Sequence, residues 1–110
     1  MLTPSSLPAG ERQLYSQLKQ LLTHPGLLRG SLIESRRTCG KSTCRCRSDR
    51  RRRHRSVYMG VTTRGKTRMI YVPAEWEAQA RAWLDRHQEV RKILERLCEA
   101  CVTRLKRREL

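Results

Sequence analysis

Apolar positions along the chain follow three different periods. Leu14, Leu18, Leu21 and Leu22 stand at i, i+4, i+7 and i+8, which predicts a short amphipathic helix over residues 10–23. His24-Pro25-Gly26 ends it, because Pro25 disfavours helix at His24 and has no amide hydrogen to donate. Leu32 and Ile33 mark a strand over residues 30–38. Residues 56–63 and 66–72 read as a β-hairpin closed by Arg64-Gly65, where Gly65 supplies the positive φ of a tight turn.

Such a turn sets a register. Val57 then faces Val72, Met59 faces Ile70 and Val61 faces Arg68 on one side. Tyr58 faces Tyr71, Gly60 faces Met69 and Thr62 faces Thr67 on the other. The first side is aliphatic and is expected to pack on a helix; the second is an aromatic–threonine side that can stay open. Pro73 then opens a long helix over residues 74–108, since proline suits a helix start. Trp76, Ala80, Trp83, His87, Val90, Leu94, Leu97 and Cys101 alternate steps of four and three along it, a heptad seam of the coiled-coil kind. That helix is far longer than the first, so part of the seam has no partner within the chain. A homodimer or another protein can cover it. Glu89 with Lys92 and Glu95 with Arg91 are expected ion pairs on its surface. Residues 1–9, with two prolines and three hydroxyl side chains, read as a disordered lead; residues 10–110 read as a single domain. The fold class is α+β: a short N-terminal helix, a small antiparallel sheet of a hairpin plus one strand, a cysteine-rich loop and a long C-terminal helix.

Charge changes the picture. The chain of 110 residues holds 25 Lys+Arg against 10 Asp+Glu, a formal net charge of +15. Ten of those basic residues fall in residues 36–55, opposed there by Asp49 alone. So concentrated a field favours a polyanion, and nucleic acid, DNA above RNA, is the expected partner. Lys41, Arg45, Arg47, Arg50, Arg51, Arg52, Arg53, Arg55, Lys66 and Arg68 are the candidate nucleic-acid contacts. The N-terminus lacks the basic and apolar regions of a signal peptide, and no apolar run approaches the length of a membrane span. A cytoplasmic location follows as the expectation.

Cysteine adds the chemistry. Cys39, Cys44 and Cys46 form a C-x4-C-x-C cluster within eight residues. In a reducing compartment, clustered thiols are metal ligands more often than disulfides, and the odd total of five argues the same way. Three thiolates in one tight loop suit zinc, Zn(2+), which takes four ligands in a tetrahedron. Gly40 eases the turn between the first cysteine and the other two. The fourth ligand is His54, eight residues after Cys46, or alternatively Cys98 or Cys101, one turn apart on the last helix. A closed site of this kind is structural. No phosphate-binding loop, no Ser/His/Asp set and no acidic metal cluster stands out, so a non-enzymatic module is expected. Cys98-x-x-Cys101 lies late in a helix and not at a strand–helix junction, unlike a redox motif. The alternative is an adaptor or assembly protein whose seam docks a partner such as a recombinase.

Gly30-Ser31-Leu32, Cys39-Gly40-Lys41, Cys44-x-Cys46, His54, Tyr58, Gly65-Lys66-Thr67 and Val72-Pro73 occur in that order. Taken together they resemble a small prokaryotic domain family of unknown function with a GSL…CGK-x2-C-x-C…HGPYY…GKT…VP pattern. Its members often lie near transposases or other mobile-element genes. The resemblance spans about residues 10–100 and implies a compact zinc-loop domain with a short sheet and flanking helices. It implies no reaction. The chain departs from the pattern where His-Gly-Pro becomes His54-Arg55-Ser56, and Arg50 to Arg53 reads as an expanded loop. At fold level alone, the sheet plus helix is also similar to the arm-binding domains of phage-type integrases, which present a sheet to the major groove.

Overall fold

The computed structural model describes residues 7–108; the first six residues of the expected lead lie outside them. The expected elements are present in the expected order. α1 spans Ala9–Thr23, β1 Ser31–Arg37, β2 His54–Thr63, β3 Lys66–Val72 and α2 Glu77–Arg107. A single 3-10 turn, Ala74–Trp76, follows Pro73 and leads into α2. The described residues fall into two compact units, one of Leu28–Leu84 and one drawn from residues 7–27 and 85–108.

The first unit is built on an antiparallel sheet of order β1-β2-β3. Its hairpin closes at Arg64 and Gly65, which both take positive φ, 52° and 76°. Two successive left-handed residues make the tight turn whose twist matches that of the strands. The register is the one the turn dictates: Val57↔Val72, Tyr58↔Tyr71, Met59↔Ile70, Gly60↔Met69, Val61↔Arg68 and Thr62↔Thr67. Across it, the Thr62 and Thr67 hydroxyls stand 2.9 Å apart, and the Tyr58 and Tyr71 rings meet edge-to-face at 5.8 Å. β1 adds on the other edge with Leu32↔Met59 and Ile33↔Tyr58.

Alternation sends Val57, Met59 and Val61 to one side, where they join Val72, Ala80 and Leu84 in a common core with Leu28 and Leu32 half-buried against it. Ala80 and Leu84 come from the first turns of α2, so the aliphatic side of the hairpin does pack on helix. Ion pairing reinforces the same side. Arg55 grips Glu77 with two guanidinium nitrogens, at 2.6 and 3.0 Å, and its Nε reaches Glu34 at 3.2 Å. Charge-assisted forks of this kind are the stronger hydrogen bonds. The Leu28 amide donates to the Trp83 carbonyl, and Arg29 donates to the Thr62 carbonyl.

The second unit is helical. α1 has no fully buried residue; Leu14, Leu18 and Leu21 are half-buried and Leu22 is exposed. On α2, Val90, Ile93 and Leu97 are buried and Ala100 half-buried. The heptad expectation named Leu94 and Cys101 where burial selects Ile93 and Ala100, so the covered stripe lies to one side of the expected seam. Leu94 is half exposed and Cys101 exposed. Both stripes share Val90 and Leu97, and steps of three and four fit either neighbour equally well. Glu11 and Arg104 pair within this unit, and Arg86 donates to the Pro25 and Gly26 carbonyls. The expected Glu89–Lys92 and Glu95–Arg91 pairs are formed.

Candidate metal centre

The chain between β1 and β2 runs from residue 38 to 53 and contains little apolar material to bury. Its one buried residue is Cys46, with no exposed surface. Two short 3-10 turns, Arg45–Arg47 and Arg50–Arg52, shape it. Gly40 takes φ 82° directly after Cys39, a conformation natural to glycine that turns the chain back on itself. The consequence is convergence: Cys39, Cys44, Cys46 and His54 bring one ligand atom each within 4.8 Å of one another.

The separations test what this group can hold. Ligands about 2.3 Å (sulfur) and 2.0 Å (nitrogen) from a tetrahedral zinc ion stand roughly 3.8 Å apart for two sulfurs and about 3.6 Å for sulfur and nitrogen. Cys39 Sγ lies 3.6 Å from Cys46 Sγ, and Cys44 Sγ lies 3.5 Å from His54 Nε2. The residues therefore fit a tetrahedral ion. An ion held by all four would keep no open position for a substrate or an activated water, as in structural sites.

Protonation is uneven across the cluster. The Cys44 thiol is drawn below its ordinary value by the backbone amide of Cys46 and by contacts with the Cys46 and Cys39 side chains. The amide of Cys39, donating to Cys46 Sγ at 3.3 Å, pulls the Cys46 thiol down; burial and the neighbouring sulfurs of Cys44 and Cys39 outweigh it and push that thiol up. A cation among the sulfurs would favour the charged form of all three.

Of the candidates for the fourth position, the one grouped with the three thiols is the histidine of the loop's own end. His54 is the first residue of β2 and pairs in register with Arg37, the last of β1. Cys98 and Cys101 are exposed on α2 and belong to no metal-type group among the described residues.

The candidate nucleic-acid contacts divide into four sets. Lys41, Arg45, Arg47, Arg50 and Arg51 are exposed and form no ion pair among the described residues, while Arg52 lies 3.7 Å from Asp49. Arg53 is half-buried, with its Nε enclosed and unpartnered. Arg55 is committed to Glu77 and Glu34, and Glu77 holds its guanidinium charge more firmly than usual. Lys66 and Arg68 lie on β3 next to the hairpin turn, at the other end of the strands, where Arg68 reaches the Thr63 hydroxyl. They are not brought together with the loop.

One shaping residue went unread in the sequence. Asp49 caps the second 3-10 turn by accepting from the Arg51 amide at 2.9 Å, and so orients the arginine run it precedes. The signal was present, since aspartate is a favoured cap, but so dense a charge run makes it look like a mere counter-charge.

The profile of a family described as a domain of unknown function, DUF6788, matches residues 7–82, and the chain belongs to that family. The match takes in α1, the sheet, all four ligands of the cluster and the start of α2. No curated protein and no solved structure matches the chain.

Proposed function

We propose that this member of the DUF6788 family is a DNA-binding module without catalytic activity, in which zinc closes the loop between β1 and β2 and steadies its arginines against the phosphate backbone. The observation that carries the reading is one of coincidence in place. Four ligand atoms within 4.8 Å of one another stand in the same twenty residues that hold ten of the 25 basic side chains. Unsupported, so dense a run repels itself and stays mobile; a tetrahedral clamp offsets that repulsion and lowers the entropy lost on binding. Arg45 and Arg47 flank a ligand on each side, and Arg50, Arg51 and Arg52 follow on the capped turn. The resemblance to proteins encoded beside transposases suits a module that brings DNA to chemistry performed elsewhere.

The test is binding of labelled DNA as a function of salt. Affinity should fall steeply with salt, and neutralising Arg50 to Arg53 together should weaken it and flatten the log–log slope by up to about three. Binding that ignores salt, or no binding, sinks the reading.

A second reading has an observation of its own. Leu94, Val102 and Leu105 remain exposed on α2, which favours an adaptor that docks a protein partner or a second copy there. Light scattering separates the dimer version, which a strict monomer eliminates.

A further inference from the structure

The two sides of the sheet differ in what covers them. Opposite the packed side, register places Ile33, Tyr58 and Tyr71 in one row across all three strands, and Ser31, Gly60 and Met69 in the next. Ile33 is 41%, Met69 53% and Tyr71 59% exposed, an apolar and aromatic surface on a chain with few apolar residues to spare. Gly60 leaves a notch in it: a Cβ there would lie 3.5 Å from Ile33 Cδ1 and 3.6 Å from Met69 Sδ, ordinary contact distances. The remaining residues on this side are Ser35, Ser56, Thr62 and Thr67, with Arg37 and His54 at one end; none is acidic. His54 shares the side of Tyr58 by alternation, and its Nε2 meets Cys44. The arginine loop is therefore tied to the same side of the sheet as the aromatic row, roughly 13 Å along β2 from Tyr58.

We infer that this open side is a stacking platform for single-stranded DNA, whose bases lie over Ile33, Tyr58, Met69 and Tyr71 while its phosphates run on to the arginine loop. The inference rests on the DNA-binding reading above and deepens it by naming the strand state. Charge complementarity selects the occupant: an apolar patch that meets protein or a second copy would not be bordered by an arginine cluster on a chain of net charge +15. Stacking selects the state, because an aromatic ring receives a base only when that base is free of its neighbours in a duplex. An apolar row with a positive border is the pairing by which sequence-tolerant single-strand binders work.

The experiment compares the intact protein's affinity for a short oligothymidylate, the matching RNA strand and a DNA duplex of equal length at fixed salt, by fluorescence anisotropy. The single DNA strand should bind tightest. Tyr71→Ala should weaken it on the order of tenfold while leaving duplex affinity and the salt slope unchanged, and Tyr71→Phe should restore it. Gly60→Thr, which fills the notch with a residue suited to strands, should act like Tyr71→Ala with circular dichroism unaltered. Photocrosslinking from bromodeoxyuridine should reach Tyr58 or Tyr71. A preference for duplex, or silent Tyr71→Ala and Gly60→Thr variants beside an arginine variant that loses affinity, overturns the platform and leaves the DNA-binding reading standing. A preference for the RNA strand overturns the choice of DNA. Self-association abolished by Tyr71→Ala overturns it in favour of a second copy. No binding to any strand removes both.

Discussion

The sheet core and the cysteine loop sit in one compact unit and are held by opposite means. Val57, Met59, Val61, Val72, Ala80 and Leu84 exclude water by packing, and any of them can be recognised by its place in an alternating or helical pattern. The loop of residues 38–53 buries only Cys46 and crowds cations together. Burial at about 25 cal/mol per Å² of apolar surface cannot order a segment with so little of it, and the four groups within 4.8 Å of one another could supply that order by holding a metal ion. The contrast teaches that a short chain can keep its charge apart from its core and still place that charge, provided something other than the hydrophobic effect does the placing.

The largest effect should come from removing a ligand. Cys46→Ser is expected to drop zinc content from about one equivalent to a trace and to speed amide exchange through residues 38–53, with the amides of β2 and β3 still protected. Metal analysis with hydrogen exchange checks it; loss of protection in the strands as well would erase the contrast. Next comes the core. Met59, 2% exposed, should cost about 2–5 kcal/mol as Met59→Ala in urea unfolding, whereas Met69→Ala on the open side should change stability by under about 0.5 kcal/mol. Equal losses would show that the open side is covered after all.

A smaller, local effect is expected at the cap. Asp49→Ala removes the acceptor for the Arg51 amide at a cost of about 1 kcal/mol to the order of that turn. It should loosen the arginine run without releasing metal, visible as faster exchange at Arg51 and Arg52. The smallest effect concerns acid. Hydrogen bonding from Arg55 holds the Glu77 carboxyl below its ordinary 4.5. A depressed carboxyl contributes fully above the unfolded value and loses its contribution as pH falls through the folded one. Glu77→Gln should therefore flatten the decline of stability below about pH 4.5 and leave the neutral range nearly level, as acid titration of thermal unfolding would read. The same acid protonates the cysteine ligands, so the loop should release metal as pH falls.

Much of the architecture was legible in the sequence because its determinants are local. The turn at Arg64-Gly65 dictates every pair of the hairpin, and both the element order and the open aromatic side follow from alternation. The three-cysteine set was equally plain, since its members lie within eight residues. Less legible was what each cation does. Arg55 belongs to the same run as Arg50 to Arg53, yet it serves the fold, because Glu34 and Glu77 approach it from β1 and α2. Nothing in the run itself distinguishes it.

By itself, the sequence determined the strands, their register, the helices and the three thiols, all set by spacings of a few residues acting through backbone geometry. Tertiary structure alone decided that Arg55 pairs with Glu34 and Glu77, which neighbour of Leu97 on α2 is buried, and that His54 and neither Cys98 nor Cys101 is grouped with the three thiols. The reason is common to all three. Each is a choice between local alternatives of nearly equal energy, and only contacts between segments far apart in the chain can separate them.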